Sequence, residues 1–198
     1  MFIKKIKKIT HSGFTLVELM VGVAVIGILS TMSLVNFRGY SQKNQVDLAA
    51  YKLASDIRAV QNYALSMKEF GGDVPKGGWG FRVSSDNSDN DEYIIYADLQ
   101  DISENWRGKY GNGIELFQTI DLPEGVLISQ VSLGGNNRKY GYINNLPPNP
   151  DIVINSASQE SNGNFQDEDV SEITITLSGA GSYTRKVKAN KFGLVDVE

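Results

Sequence analysis

Cysteine is absent from the 198-residue chain, so no disulfide can brace it and no thiolate is available as nucleophile or metal ligand. Histidine is nearly absent too: the single one is His11, close to the N-terminus. The rest of the chain cannot run a Ser-His-Asp or Cys-His mechanism, nor build the usual His or Cys zinc site. Carboxylate-pair chemistry of the glycosidase kind needs neither residue. Nothing, however, singles out one pair among 23 acidic residues, most of which should be solvated surface. Proline is scarce: there are five, the first at Pro75, so residues 14–67 hold no helix breaker. Net positive charge is also missing, the formal charge being -4, which argues against a protein that coats nucleic acid. No internal repeat is visible.

One absence is local. Residues 14–35 form an apolar run in which Glu18 is the only charged side chain. A run of about 20 apolar residues is long enough to cross a bilayer as a helix. A carboxylate inside it costs roughly 2.5–3.5 kcal/mol on insertion scales, so a charge kept there needs a partner. Lys4, Lys5, Lys7 and Lys8 precede the run with no acid to offset them. Positive flanks stay cytoplasmic, which predicts an extracytoplasmic location for everything after the run. A secretory signal peptide would have a shorter apolar core with small residues after it; this run is too long.

The stretch Gly13-Phe14-Thr15-Leu16-Val17-Glu18-Leu19, behind its lysine-rich start, resembles the type IV prepilin signal. The resemblance implies a leader, residues 1–13, that a membrane prepilin peptidase removes after Gly13 and a new N-terminus, Phe14, that the same enzyme methylates. It further implies an assembly role for Glu18, paired with the terminal amine of a neighbouring subunit in a filament. The organisation expected is leader 1–13, transmembrane and assembly helix 14–35, and residues 36–198 as helix continuation plus a β-rich head. Without the four leader lysines, 15 basic residues face 23 acidic ones, a formal charge of -8.

Helical periodicity continues beyond the apolar run. Val46, Ala50, Leu53, Ile57, Val60 and Ala64 recur at spacings of four and three, with Asp47, Lys52, Asp56 and Arg58 off the stripe. A helix of some 50 residues would be roughly 75–80 Å long, with Gly22, Gly27 and Gly39 as its weak points. Gly71, Gly72, Pro75, Gly77 and Gly78 are expected to end it. Strands are predicted over residues 79–83, 93–97, 114–120, 126–133 and 151–154, and most clearly over 173–177 and 183–189, with a short one at 193–197. Leu122-Pro123-Glu124-Gly125 reads as a turn, and the polar tracts 84–92 and 155–172 read as surface loops.

The whole predicts an α+β chain with a long N-terminal helix laid on an antiparallel sheet. That order resembles the pilin fold. Leu53-Ala54-Ser55-Asp56-Ile57-Arg58 followed by Gln61-Asn62-Tyr63-Ala64-Leu65 resembles the helix signature of GspH/FimT-type pseudopilins. Major type IVa pilins usually carry proline at the position held here by Val35, and many have a disulfide loop that this chain lacks. Both departures favour a minor pilin or pseudopilin.

Two further groups are candidates for chemistry. Asp98, Asp101, Glu104 and Glu115 lie in an acidic, glycine-containing stretch of the kind calcium prefers. Their spacing is not that of an EF-hand, and Leu99, Ile102 and Trp106 intervene, so a solvated loop is the expectation and no cofactor is assigned. Arg185, Lys186, Lys188 and Lys191 form a local basic patch near the C-terminus. FimT-like competence pilins hold DNA with C-terminal basic residues, but this chain ends Val195-Asp196-Val197-Glu198, and a solvated strand face is the plainer expectation. The function expected is structural rather than enzymatic. It is that of a filament subunit of a type IV pilus or type II secretion system, anchored in the inner membrane, with prepilin peptidase and other pilin subunits as partners. The alternatives are a DNA-uptake minor pilin and a membrane-anchored extracytoplasmic binding module such as an adhesin.

Overall fold

The computed structural model describes residues 13–99, 114–147, 151–155, 170–179 and 182–198. Among the described residues one helix, α1 (Leu16–Leu65), is followed by ten strands. They are β1 (Gly78–Ser84), β2 (Glu92–Asp98), β3 (Leu116–Asp121), β4 (Leu127–Leu133), β5 (Asn136–Arg138), β6 (Tyr140–Leu146), β7 (Asp151–Asn155), β8 (Glu172–Ser178), β9 (Thr184–Asn190) and β10 (Val195–Val197). The chain divides into two compact units, residues 1–41 and 42–198.

In the second unit the strands form two antiparallel sheets, ordered β3-β2-β1-β6-β7 and β10-β9-β8-β4-β5. The class is α+β as expected, but the expectation of a single sheet is corrected. One strand of the first sheet, β6, has no counterpart in the sequence pattern. Gly141, Asn144 and Asn145 break its apolar alternation, yet it pairs with β1 on one side and β7 on the other. Asn144 and Asn145 are tolerated there because each donates its side-chain amide to a β1-side carbonyl, Asn144 to Gly77 O at 2.6 Å and Asn145 to Trp79 O at 3.4 Å. Gly141 has its own reason. A methyl at that position would collide with Ile173 and Val131, so a bare backbone lets the two sheets approach.

The predicted helix stripe is the centre of the core. Val46, Ala50, Leu53, Ile57 and Val60 are fully buried, and Ala64 nearly so, against residues of both sheets. Polar residues off the stripe fasten the same part of α1 to the strands. Arg58 donates to the carbonyl of Val195 at 2.6 Å and Gln61 to that of Gly193 at 3.3 Å, which docks β10. The Tyr93 hydroxyl donates to Asp56 at 2.5 Å, and burial with this bond pushes its pKa well up.

The helix does not run to Gly71. It stops at Leu65 and closes through Met67, whose N–H bonds Ala64 O, and Lys68, whose N–H bonds Tyr63 O. These paired bonds are a Schellman closure, in which the left-handed position is held here by Met67 (φ 49°) rather than by glycine. The expected turn at Pro123 is present, with Val126 N–H bonded to Pro123 O and Gly125 at φ 79°.

Candidate functional site

In the first unit, residues 13–15 precede the helix and Leu16 opens it. Gly13 has open space around it, and Phe14 is 88% exposed. Among the described residues, then, the backbone at the predicted cleavage point is not helical and nothing covers it.

Thr15 and Glu18 form a closed local unit. The Thr15 N–H and hydroxyl both donate to Glu18 Oε2, at 3.0 and 2.9 Å, and the Glu18 N–H donates to Thr15 Oγ1 at 3.2 Å. This is a capping box: two helix-terminal N–H groups are satisfied reciprocally by side chains three residues apart. A carboxylate in the first turn also suits the positive end of the helix dipole. Its sequence signal is Thr-x-x-Glu before an apolar run, a local partner for Glu18 that the expected pairing with a neighbouring subunit does not include. Among the described residues no cation pairs with Glu18.

Beyond the cap, large apolar side chains cover the helix on all sides. From Leu16 to Met32 their exposure runs from 49% at Val25 to 76% at Leu16, so none is spent on a core of its own unit. A helix apolar all round belongs in lipid or among other helices. Two hydroxyls in it are satisfied by their own backbone: Ser30 donates to Ile26 O and Thr31 to Ile28 O, both at 2.7 Å. Among the described residues no helix is long and apolar enough to cross a membrane. The last part of the sequence run, residues 33–35, lies outside the side chains described.

The other predicted groups are dispersed or neutralised. Asp98 ends β2 and Glu115 precedes β3; both are buried, whereas Asp101 and Glu104 lie outside the described residues. Among the described residues no three His, Cys, Asp or Glu side chains are grouped to hold a metal. In the basic patch, Arg185 is paired with Asp47 on α1, and the Tyr183 hydroxyl donates to the same carboxylate at 2.8 Å. The Arg185 bond holds the Asp47 carboxyl below its ordinary value. Lys188 is paired with Glu198 at 2.9 Å, so two of the four cations are already committed to acids. The Asp47–Tyr183–Arg185 contact had no sequence signal, because Asp47 lies more than 130 residues from both of its partners.

Residues 10–34 match the family model described as the prokaryotic N-terminal methylation motif. The chain therefore carries the type IV prepilin signature over residues 10–34. The motif implies processing by prepilin peptidase and assembly with other pilin subunits, and its family is structural rather than enzymatic. No curated protein and no solved structure matches the chain.

Proposed function

We propose that this protein is a structural minor pilin or pseudopilin of the GspH/FimT type. It is cleaved after Gly13, methylated on Phe14, held in the inner membrane by residues 14–35, and polymerised through that helix into a pilus or secretion filament. The observation that carries the reading is the motif at residues 10–34, set on a helix whose described apolar side chains, Leu16 to Met32, are exposed. In the assembled state the cleaved Phe14 amine of a neighbour takes over as the partner of Glu18. The head faces out of the cytoplasm, and no disulfide contributes to its stability, since the chain has no cysteine.

Intact-mass measurement of the membrane-bound form tests the reading. The expected product lacks residues 1–13 and carries one added methyl. Gly13→Ala is expected to leave the folded chain unchanged, because none of the described residues packs against that position, yet to block cleavage. A leader retained by the wild-type chain in a host with active prepilin peptidase would overturn the proposal.

A further inference from the structure

The C-terminal end of α1 carries an aromatic cluster that a filament role does not use and that can act independently of it. The Schellman closure at Met67 turns the chain back so that the Lys68 side chain lies over three rings. Its Nζ is 3.7 Å from the ring centre of Tyr63, 4.2 Å from Phe117 and 5.3 Å from Trp79. Tyr63 comes from the last turns of α1, Trp79 from β1 and Phe117 from β3. The rings meet at steep angles, 62° for Tyr63–Trp79, 72° for Tyr63–Phe117 and 90° for Trp79–Phe117, with centres 5.1–5.9 Å apart. They form walls around a point rather than a stack.

The walls are anchored. Trp79 is fully buried, and its indole N–H donates to the Lys68 carbonyl at 3.0 Å, which fixes the backbone of the occupant as well. The ammonium itself has no carboxylate partner among the described residues, so the ring faces are what hold it. Such cages attract cations through the ring quadrupole, and they suit alkylated ammonium groups best. A primary ammonium is compact and strongly hydrated, hence the weaker ligand for an apolar-walled site. Lys68 is only half-buried and sits on a long flexible stem, so it can leave.

We propose that Tyr63, Trp79 and Phe117 form a binding site for an alkylated ammonium group of the choline class, kept filled in the free head by Lys68 as an internal ligand. An incoming ligand must displace that side chain, which lowers its apparent affinity.

The test uses the full chain in a maltoside detergent, since a choline-headed detergent would compete. Trp106→Phe leaves Trp79 as the sole indole reporter, with a thermal melt to check folding. Trp79 fluorescence is titrated with tetramethylammonium chloride against sodium chloride at matched ionic strength. Lys68→Ala is expected to give a saturable response at roughly tenfold lower concentration than the chain that keeps Lys68. Adding Phe117→Ala to it is expected to abolish the response. Lys68→Gln serves if the alanine variant melts early. Titration with choline and with glycerophosphocholine then separates the sources: tighter binding of the second indicates a lipid headgroup, of the first a free solute. A response in Lys68→Ala no different from sodium chloride, or equal affinity with and without Lys68, overturns the proposal.

Discussion

Glu18 has one partner in the free chain and is proposed to take another in the filament, and substitution can separate the two. As the acidic member of the capping box it accepts hydrogen bonds from the Thr15 N–H and hydroxyl. As a partner for an ammonium it needs its charge. Gln at this position can keep the capping bonds and loses only the charge, whereas Ala loses both. If the charge is what assembly uses, Glu18→Gln and Glu18→Ala should both reduce the sheared-filament fraction while membrane-bound protein stays constant. Normal assembly of Gln with failure of Ala would assign Glu18 to capping alone. Normal assembly of both would favour the membrane-anchored binding module. Met67 offers a second single-residue test. A side chain in the left-handed region costs roughly 1–2 kcal/mol, offset in part by the about 0.5–1 kcal/mol of extra unfolded freedom of glycine. Met67 is half exposed and little packing is lost with it. Met67→Gly should therefore raise the thermal midpoint by a few degrees, and a fall would mean that the Met67 side chain matters more than its backbone.

At the scale of elements, the start of β2 is crowded with acid. Burial raises the Glu92 carboxyl above its ordinary value, and Asp91, Asp121 and Asp89 add to the effect. A raised folded value means that the native state holds this proton more tightly than the unfolded chain does. The associated stability is complete below the unfolded value, about 4.3, and is lost as pH rises through the raised one. Glu92→Gln should then stabilise the head at pH 7 and change little at pH 3, read as thermal midpoints at the two pH values. Equal effects at both would point to packing rather than charge. The β9 contact has the opposite sign: Asp47, held low by Arg185, contributes above its unfolded value and loses that contribution as pH falls. At partly exposed positions such pairs are worth little, so the Asp47–Arg185 pair serves the register of β9 against α1 more than stability.

Across the head, one core joins α1 to both sheets: Ile57 is buried in the same cluster as Phe81 and Ile143 of the first sheet and Ile128 and Ile175 of the second. Shared burial of this kind couples the parts into a single cooperative transition. Ile57→Ala, which leaves a cavity where the three layers meet, should cost about 2–5 kcal/mol and lower helix and sheet signals together. Separate transitions by far-UV circular dichroism and Trp79 fluorescence would show that the sheets fold independently. With no cysteine in the chain, no cross-link offsets such a loss, so the core bears the whole of it.

Features that depend on near neighbours were legible along the chain. The apolar run, its lone Glu18 and the preceding Gly13-Phe14 are contiguous, and a motif of adjacent residues needs no fold to be recognised. The stripe from Val46 to Ala64 and the alternation of β8 were readable for the same reason, since helix and strand periods are properties of local backbone geometry. Strand β6 of the first sheet came from the folded molecule alone, because it buries asparagines whose hydrogen-bond partners lie 66 and 67 residues away. Folding also assigned Arg185 to Asp47 and placed Lys68 in a cage of rings drawn from α1, β1 and β3. Burial and long-range pairing set the environment of a polar group, and no local pattern records which distant side chain will provide it.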